Sequence, residues 1–345
     1  MRLDDFDFEL PRSLIAEHPS EPREAGRLLH ILATGQFVDR RIADLPALLR
    51  AGDLFVGNDT KVIPARLVGW RGQASVEVTL VHDEGGGSWR AFAKGARRLH
   101  SGDRLDFAAD FAATVAEKLA DGSVRLQFDC EGAVFRAALA RHGAMPLPPY
   151  VRRPRGGDPR DLADYQTIFA RTEGSVAAPT AGLHFTPALL RAFADRGIEL
   201  AMLTLHVGPG TFLPVKTTDP RTHKMHGEWG TLSVDTARRI AAARRRGGRI
   251  AAIGTTSLRL LETAAAATGE VRPFAGETDL FIMPGYRFRA IDLLLTNFHL
   301  PRSTLFMLVA ALAGLDRIKT AYAHAVASGY RFFSYGDACL IERAR

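Results

Sequence analysis

The chain has 345 residues, 46% of them hydrophobic and 24% charged, which is long enough for two domains and too apolar for a disordered chain. Lysine plus arginine outnumber aspartate plus glutamate by 45 to 38, a formal charge of +7 that suits either a polyanion such as RNA or an ordinary solvated basic surface. Cys130 and Cys339 are too few for a cysteine zinc site or a disulfide framework, residues 1–6 are too acidic for a signal peptide, and the apolar run 305–315 is too short to span a bilayer. A cytoplasmic protein away from membranes is therefore expected.

In chain order, residues 27–32 and 36–40 read as a hairpin over Thr34-Gly35, and 44–50 as a short helix closed by Gly52. Residues 53–56 read as a strand running into Asn58-Asp59-Thr60. Short β runs follow at 75–81, 89–93, 104–107, 113–118 and 123–128, close enough together for a small barrel or sandwich. A helix at 133–141 precedes Pro146-Leu147-Pro148-Pro149-Tyr150, a stiff extended segment. Arg152, Arg153 and Arg155 make the exit from it basic.

Beyond residue 160 strands alternate with helices. Thr186 is placed to cap a helix over 187–196, with Pro187 at its first position and Gly197 past its end. Strands at 198–207, 249–253 and 292–296 enter polar loops, and helices at 258–267 and 303–313 follow the last two. This alternation predicts an α/β fold: a main mixed-sheet domain of residues 1–65 and 156–345, interrupted by an inserted small β-barrel domain of residues 66–155.

Four segments carry candidate chemistry, and open α/β sheets bind ligands at such strand ends. Residues 177–185, Ala-Ala-Pro-Thr-Ala-Gly-Leu-His-Phe, are small enough for close backbone approach and bring His184 as an acid or base, or else form a tight loop under the sheet. In 205–212, Gly208 and Gly210 suit a backbone nest for an anion or an ordinary turn, and the full dinucleotide fingerprint is lacking. Thr255, Thr256 and Ser257 suit either anion binding or plain capping at a helix start. Asn297, Phe298 and His299 offer a base-edge reader, a stacking ring and a second titratable group, with Phe298 in the core as the alternative. His223, His226 and Glu228 form no His-Glu-x-x-His pattern, so no metal is expected. Arg238, Arg239, Arg244, Arg245, Arg246 and Arg249 face either RNA phosphates or water.

Taken together these segments resemble the S-adenosylmethionine:tRNA ribosyltransferase-isomerases of the queuosine pathway. The resemblance rests on residues 57–67, 146–150, 164–167, 177–185, 206–212, Met225-His226 with Glu228, 254–257, 296–301 and 330–338, nine ordered segments spread over the whole chain. Two departures are small. Asn58-Asp59-Thr60-Lys61 stands where the family commonly has Asn-Asn-Thr-Arg, so Lys61 keeps the charge and loses the bidentate fork. Pro209 stands where Ala is common and removes a backbone donor.

The resemblance implies transfer and isomerisation of the ribosyl part of S-adenosylmethionine onto 7-aminomethyl-7-deazaguanine at the tRNA wobble position. The products are epoxyqueuosine-tRNA, adenine and methionine. S-adenosylmethionine is then a consumed co-substrate, with no prosthetic group and no metal, and a monomer is expected. The sulfonium acidifies the adjoining ribose carbon, so a base is needed, and His184, His206, His226 and His299 are the candidates. Expected substrate contacts are Asn58, Thr60, Arg66, Tyr165, Thr180, Gly182 and Phe185, then Gly208, Gly210, Thr211 and Phe212. Thr255, Thr256, Ser257, Asn297 and Phe298 complete that set, and Arg152, Arg153 and Arg155 are expected on the tRNA. A methyltransferase, a non-catalytic RNA-binding module and a metal-dependent hydrolase are the competing classes.

Overall fold

The computed structural model describes residues 1–153, 158–208, 217 and 219–344. The first strands are β1 (Arg27–Ile31), β2 (Phe37–Arg41), β3 (Leu54–Asn58) and β4 (Thr60–Val62). Next come β5 (Arg66–Arg71), β6 (Ala74–Gly85), β7 (Ser88–Ala93), β8 (Arg104–Ala108), β9 (Phe111–Lys118) and β10 (Val124–Phe128), followed by helix α1 (Gly132–His142) and a single turn, α2 (Asp161–Asp164). The remainder is β11 (Thr172–Ser175), α3 (Pro187–Asp195), β12 (Glu199–Leu205), β13 (Glu228–Leu232), α4 (Val234–Arg245), β14 (Ile250–Ile253), α5 (Gly254–Ala265), β15 (Phe274–Thr278), β16 (Leu293–Asn297), α6 (Thr304–Ala313), α7 (Leu315–Ala327) and β17 (Ala338–Glu342).

The main sheet has nine strands in the order β15-β13-β12-β3-β14-β16-β17-β1-β2, and β12, β3, β14 and β16 run parallel. Alternation along these strands explains why both faces are covered. Leu54 and Val56 join one core cluster, with α5, α6 and α7, while Phe55 joins the other, with α3. Strands β5 to β10 close into a six-stranded barrel around its own cluster, which includes Leu67, Val78, Leu80, Val115 and Leu126. Gly69 lets β5 approach β8 there, since a Cβ on it would lie 2.5 Å from the Asp106 carbonyl oxygen. The strands β4 and β11 pair in parallel where the chain passes between sheet and barrel.

Several elements differ from the sequence expectation. The short helix expected at 44–50 is a 3-10 helix that starts earlier, Ile42–Leu48, and Pro46 within it supplies no N–H for an α-helical ladder. Helix α5 starts at Gly254, four residues ahead of the expected start, because Gly254 at φ 85° turns the chain straight out of β14. The strands β13, β15 and β17 escaped the sequence reading. The α3 boundary agrees: the Thr186 side chain accepts from the Leu189 N–H. Among the described residues no helix is long and apolar enough to cross a membrane.

Candidate active site

A cleft opens where β14 and β16 end. Its walls are the 177–181 segment, the first turn of α5, the 296–300 segment, Tyr150 and the Phe333-Ser334 turn. No described lining residue carries a permanent charge. Asn297, at the end of β16, ties these walls together. Its Nδ2 lies 3.1 Å from the Phe333 carbonyl oxygen and 3.2 Å from His184 Nε2, and its Oδ1 accepts from Thr180 Oγ1 at 3.3 Å. Phe333 is held at φ 73°, a left-handed backbone that a bulky residue rarely adopts, and so turns its ring against Tyr150, centroids 4.5 Å apart. The Tyr150 hydroxyl and Ser334 Oγ are 2.6 Å apart. Sequence reasoning missed Tyr150, Ser303, Phe333 and Ser334 as lining residues. The only signal for the aromatic pair was that both lie in segments shared with the resembled family.

The four candidate histidines fall in different places. His299 lines the cleft, with Nε2 2.9 Å from Thr296 Oγ1, and burial pushes its pKa down to about 3. His184 stands behind the cleft. Burial, helped by the Arg23 and Arg331 charges, pushes it down to about 4. Both imidazoles are therefore neutral near pH 7. His206 is half-buried, with Nδ1 2.8 Å from Thr60 Oγ1; burial lowers its pKa and the Asp59 carboxylate opposes that shift. His226 is exposed and lines neither cavity described here.

His206 faces a second, larger crevice between barrel and sheet, lined also by Trp89, Phe135, Trp229, Asp83, Glu131, Glu173 and Glu277. Val207 lines both cavities, so they adjoin. Gly208 borders the crevice and donates its N–H to Glu228 Oε1 at 3.2 Å.

Of the expected substrate contacts, Thr180, Thr255, Thr256, Asn297 and Phe298 line the cleft, although the Phe298 ring is buried against Tyr322, Tyr330 and Phe332. Others do not line it. Phe185 packs between Phe169 and Phe193. The Phe298 and Phe185 rings are core because each sits on the side of its segment that faces the sheet packing. Asn58 is spent on structure, bonding both the Leu205 N–H and its carbonyl. Arg66 pairs with Glu77 at 3.0 Å on the barrel wall. Tyr165, Gly182 and Ser257 are buried behind the lining. Gly210, Thr211 and Phe212 lie outside the described residues.

The expected tRNA-facing arginines also divide. Arg153 is buried in a pair with Asp161 at 2.7 Å and cannot grip a phosphate, Arg152 is exposed, and Arg155 lies outside the described residues. On α4 and its exit, Arg239 and Arg246 pair with Glu199, and Arg249 pairs with Asp53 at 2.7 Å. These contacts sit at the amino ends of the parallel strands, away from the cleft. Glu228 pairs with Arg259, which occupies the carboxylate that a metal would need. Among the described residues no three His, Cys, Asp or Glu side chains gather as metal ligands would.

Three comparisons bear on this geometry. Residues 3–341 match the family described as queuosine biosynthesis protein. A protein of Gluconacetobacter diazotrophicus named S-adenosylmethionine:tRNA ribosyltransferase-isomerase is 58% identical over 341 residues, 99% of this chain and 96% of its own. A protein of the same name from Rhodospirillum rubrum is 56% identical over 344 residues, 100% of this chain and 99% of its own. The crystal structure of the S-adenosylmethionine tRNA ribosyltransferase of Thermotoga maritima is 35% identical, covers 98% of this chain and 99% of that one, and superposes with a TM-score of 0.56. The chain belongs to the queuosine biosynthesis protein family, that of the S-adenosylmethionine:tRNA ribosyltransferase-isomerases.

Proposed function

We propose that the chain transfers the ribosyl moiety of S-adenosylmethionine to the aminomethyl group of 7-aminomethyl-7-deazaguanine in the tRNA anticodon and isomerises it. Epoxyqueuosine-tRNA, adenine and methionine are the products. The observation that carries this reading is the pair of adjoining cavities. The cleft, whose described lining carries no permanent charge, suits S-adenosylmethionine, with the Tyr150 and Phe333 rings beside a sulfonium. The barrel-side crevice suits a splayed-out nucleobase: Trp89, Phe135 and Trp229 offer apolar surface, and Asp83, Glu131 and Glu277, on a lining that also carries Arg90 and Arg136, suit a cationic aminomethyl group. On this reading residues 66–155 form an inserted domain that frames the nucleobase site.

We assign proton abstraction next to the sulfonium to His206. It lines the crevice beside the shared Val207 and is less deeply buried than His184 or His299. A base works best with a pKa near the working pH. When Nδ1 donates to Thr60, Nε2 is the free acceptor. His299, neutral in the cleft, orients the substrate.

A single-turnover reaction of the protein, S-adenosylmethionine and the modified tRNA, run with a chelator, tests the reading. Adenine and methionine should appear only with that tRNA. S-adenosylhomocysteine instead would make the protein a methyltransferase. In the same assay His206→Gln should slow turnover by about 10²–10⁴-fold while S-adenosylmethionine still binds, and His226→Gln should leave the rate unchanged. A fully active His206→Gln variant would overturn the base assignment.

A further inference from the structure

Thr256 is only 8% exposed, and its Oγ1 finds no hydrogen-bond partner among the described residues, yet the residue lines the cleft. Leaving such a donor unmade costs free energy that a ligand could recover. Thr256 sits in the first turn of α5, a helix of 12 residues whose N-cap, Ile253, supplies no side-chain acceptor. The first N–H groups of that helix are therefore uncapped and share the turn with the unpaired hydroxyl. The helix dipole adds partial positive charge at this end. Gly254, at φ 85°, adopts a backbone that other residues rarely take and leaves no Cβ beside Thr256 Oγ1.

We propose that the first turn of α5, with Thr256 Oγ1, holds the carboxylate of the amino-acid tail of S-adenosylmethionine. This rests on the functional reading above and specifies which part of the co-substrate the turn receives. Among the described residues no lysine or arginine lines the cleft to take the carboxylate instead. Hydroxyl and backbone donors at a helix start are an established chemistry for an anion. The turn thus selects ligands that carry the carboxylate.

Calorimetric titration of the full chain tests this with two ligands. S-adenosylmethionine is one; its decarboxylated form, which keeps the sulfonium and the amine, is the other. Thr256→Val should weaken S-adenosylmethionine about tenfold and leave the decarboxylated ligand unchanged, while Thr256→Ser retains near-normal affinity for both. The Val variant should melt as the unaltered protein does, because Oγ1 bonds to nothing described in the fold. Equal weakening of both ligands, or of neither, would overturn the proposal. So would weakened tRNA binding with S-adenosylmethionine unaffected, which would assign the turn to a phosphate. Failure of the unaltered chain to bind S-adenosylmethionine at all would instead overturn the functional reading itself.

Discussion

Arg259→Met is expected to destabilise the fold by about 3–5 kcal/mol, the usual cost of stripping one partner from a buried ion pair. Arg259 and Glu228 are each 5% exposed at the side chain. Arg259 also donates to the carbonyl oxygens of Leu280 at 2.9 Å and Thr278 at 3.3 Å, so it clamps β13 and the end of β15 onto α5. Removing it strips the buried Glu228 carboxylate of its arginine partner, while the Gly208 N–H still donates to it. Glu228→Gln combined with Arg259→Met should cost less than the sum of the two single changes, because the double variant buries no lone charge. Urea denaturation of the three variants measures this. A loss below about 1 kcal/mol for Arg259→Met would show that water reaches the pair.

Acid should destabilise the protein well before its carboxylates titrate. In the folded state His184 is pushed down to about 4 and His299 to about 3, against an ordinary value of 6.5. As pH falls below 6.5 the unfolded chain binds these protons first. The stability contributed by the two neutral rings is thus complete above pH 6.5 and declines as pH falls toward about 4 for His184 and about 3 for His299. The slope is about 1.4 kcal/mol per pH unit for each histidine. His30 and His206, also lowered by burial, act in the same direction. Denaturation midpoints at pH 7, 6 and 5 should fall steadily, and His299→Gln should flatten the slope by one histidine's share. Equal midpoints at pH 7 and pH 5 would contradict the burial of these rings.

The fold was readable where local pattern and tertiary role coincide. The hairpin of β1 and β2, the run of short barrel strands, and the capped α3 all carry signals within a few residues. The strand β13 does not. Its Glu228-Trp229-Gly230 start buries a carboxylate only because Arg259 arrives from α5, thirty-one positions along the chain. The cleft was readable at Thr180, Thr255, Thr256 and Asn297, which are polar residues at strand ends. It was not readable at Tyr150 and Phe333, which meet across a gap of 183 positions, nor at Phe185, whose ring turns into the core. A residue type in a loop reveals chemistry that is available, whereas the side to which it turns is set by packing.

On the proposed function the ribosyl carbons of S-adenosylmethionine move to the tRNA base. Two parallel reactions with the modified tRNA, one with the co-substrate labelled in the ribose and one with it labelled in the S-methyl group, test it most directly. Ribose label should enter the tRNA while methyl label leaves with methionine. Methyl label in the tRNA, with ribose label left in S-adenosylhomocysteine, would contradict it.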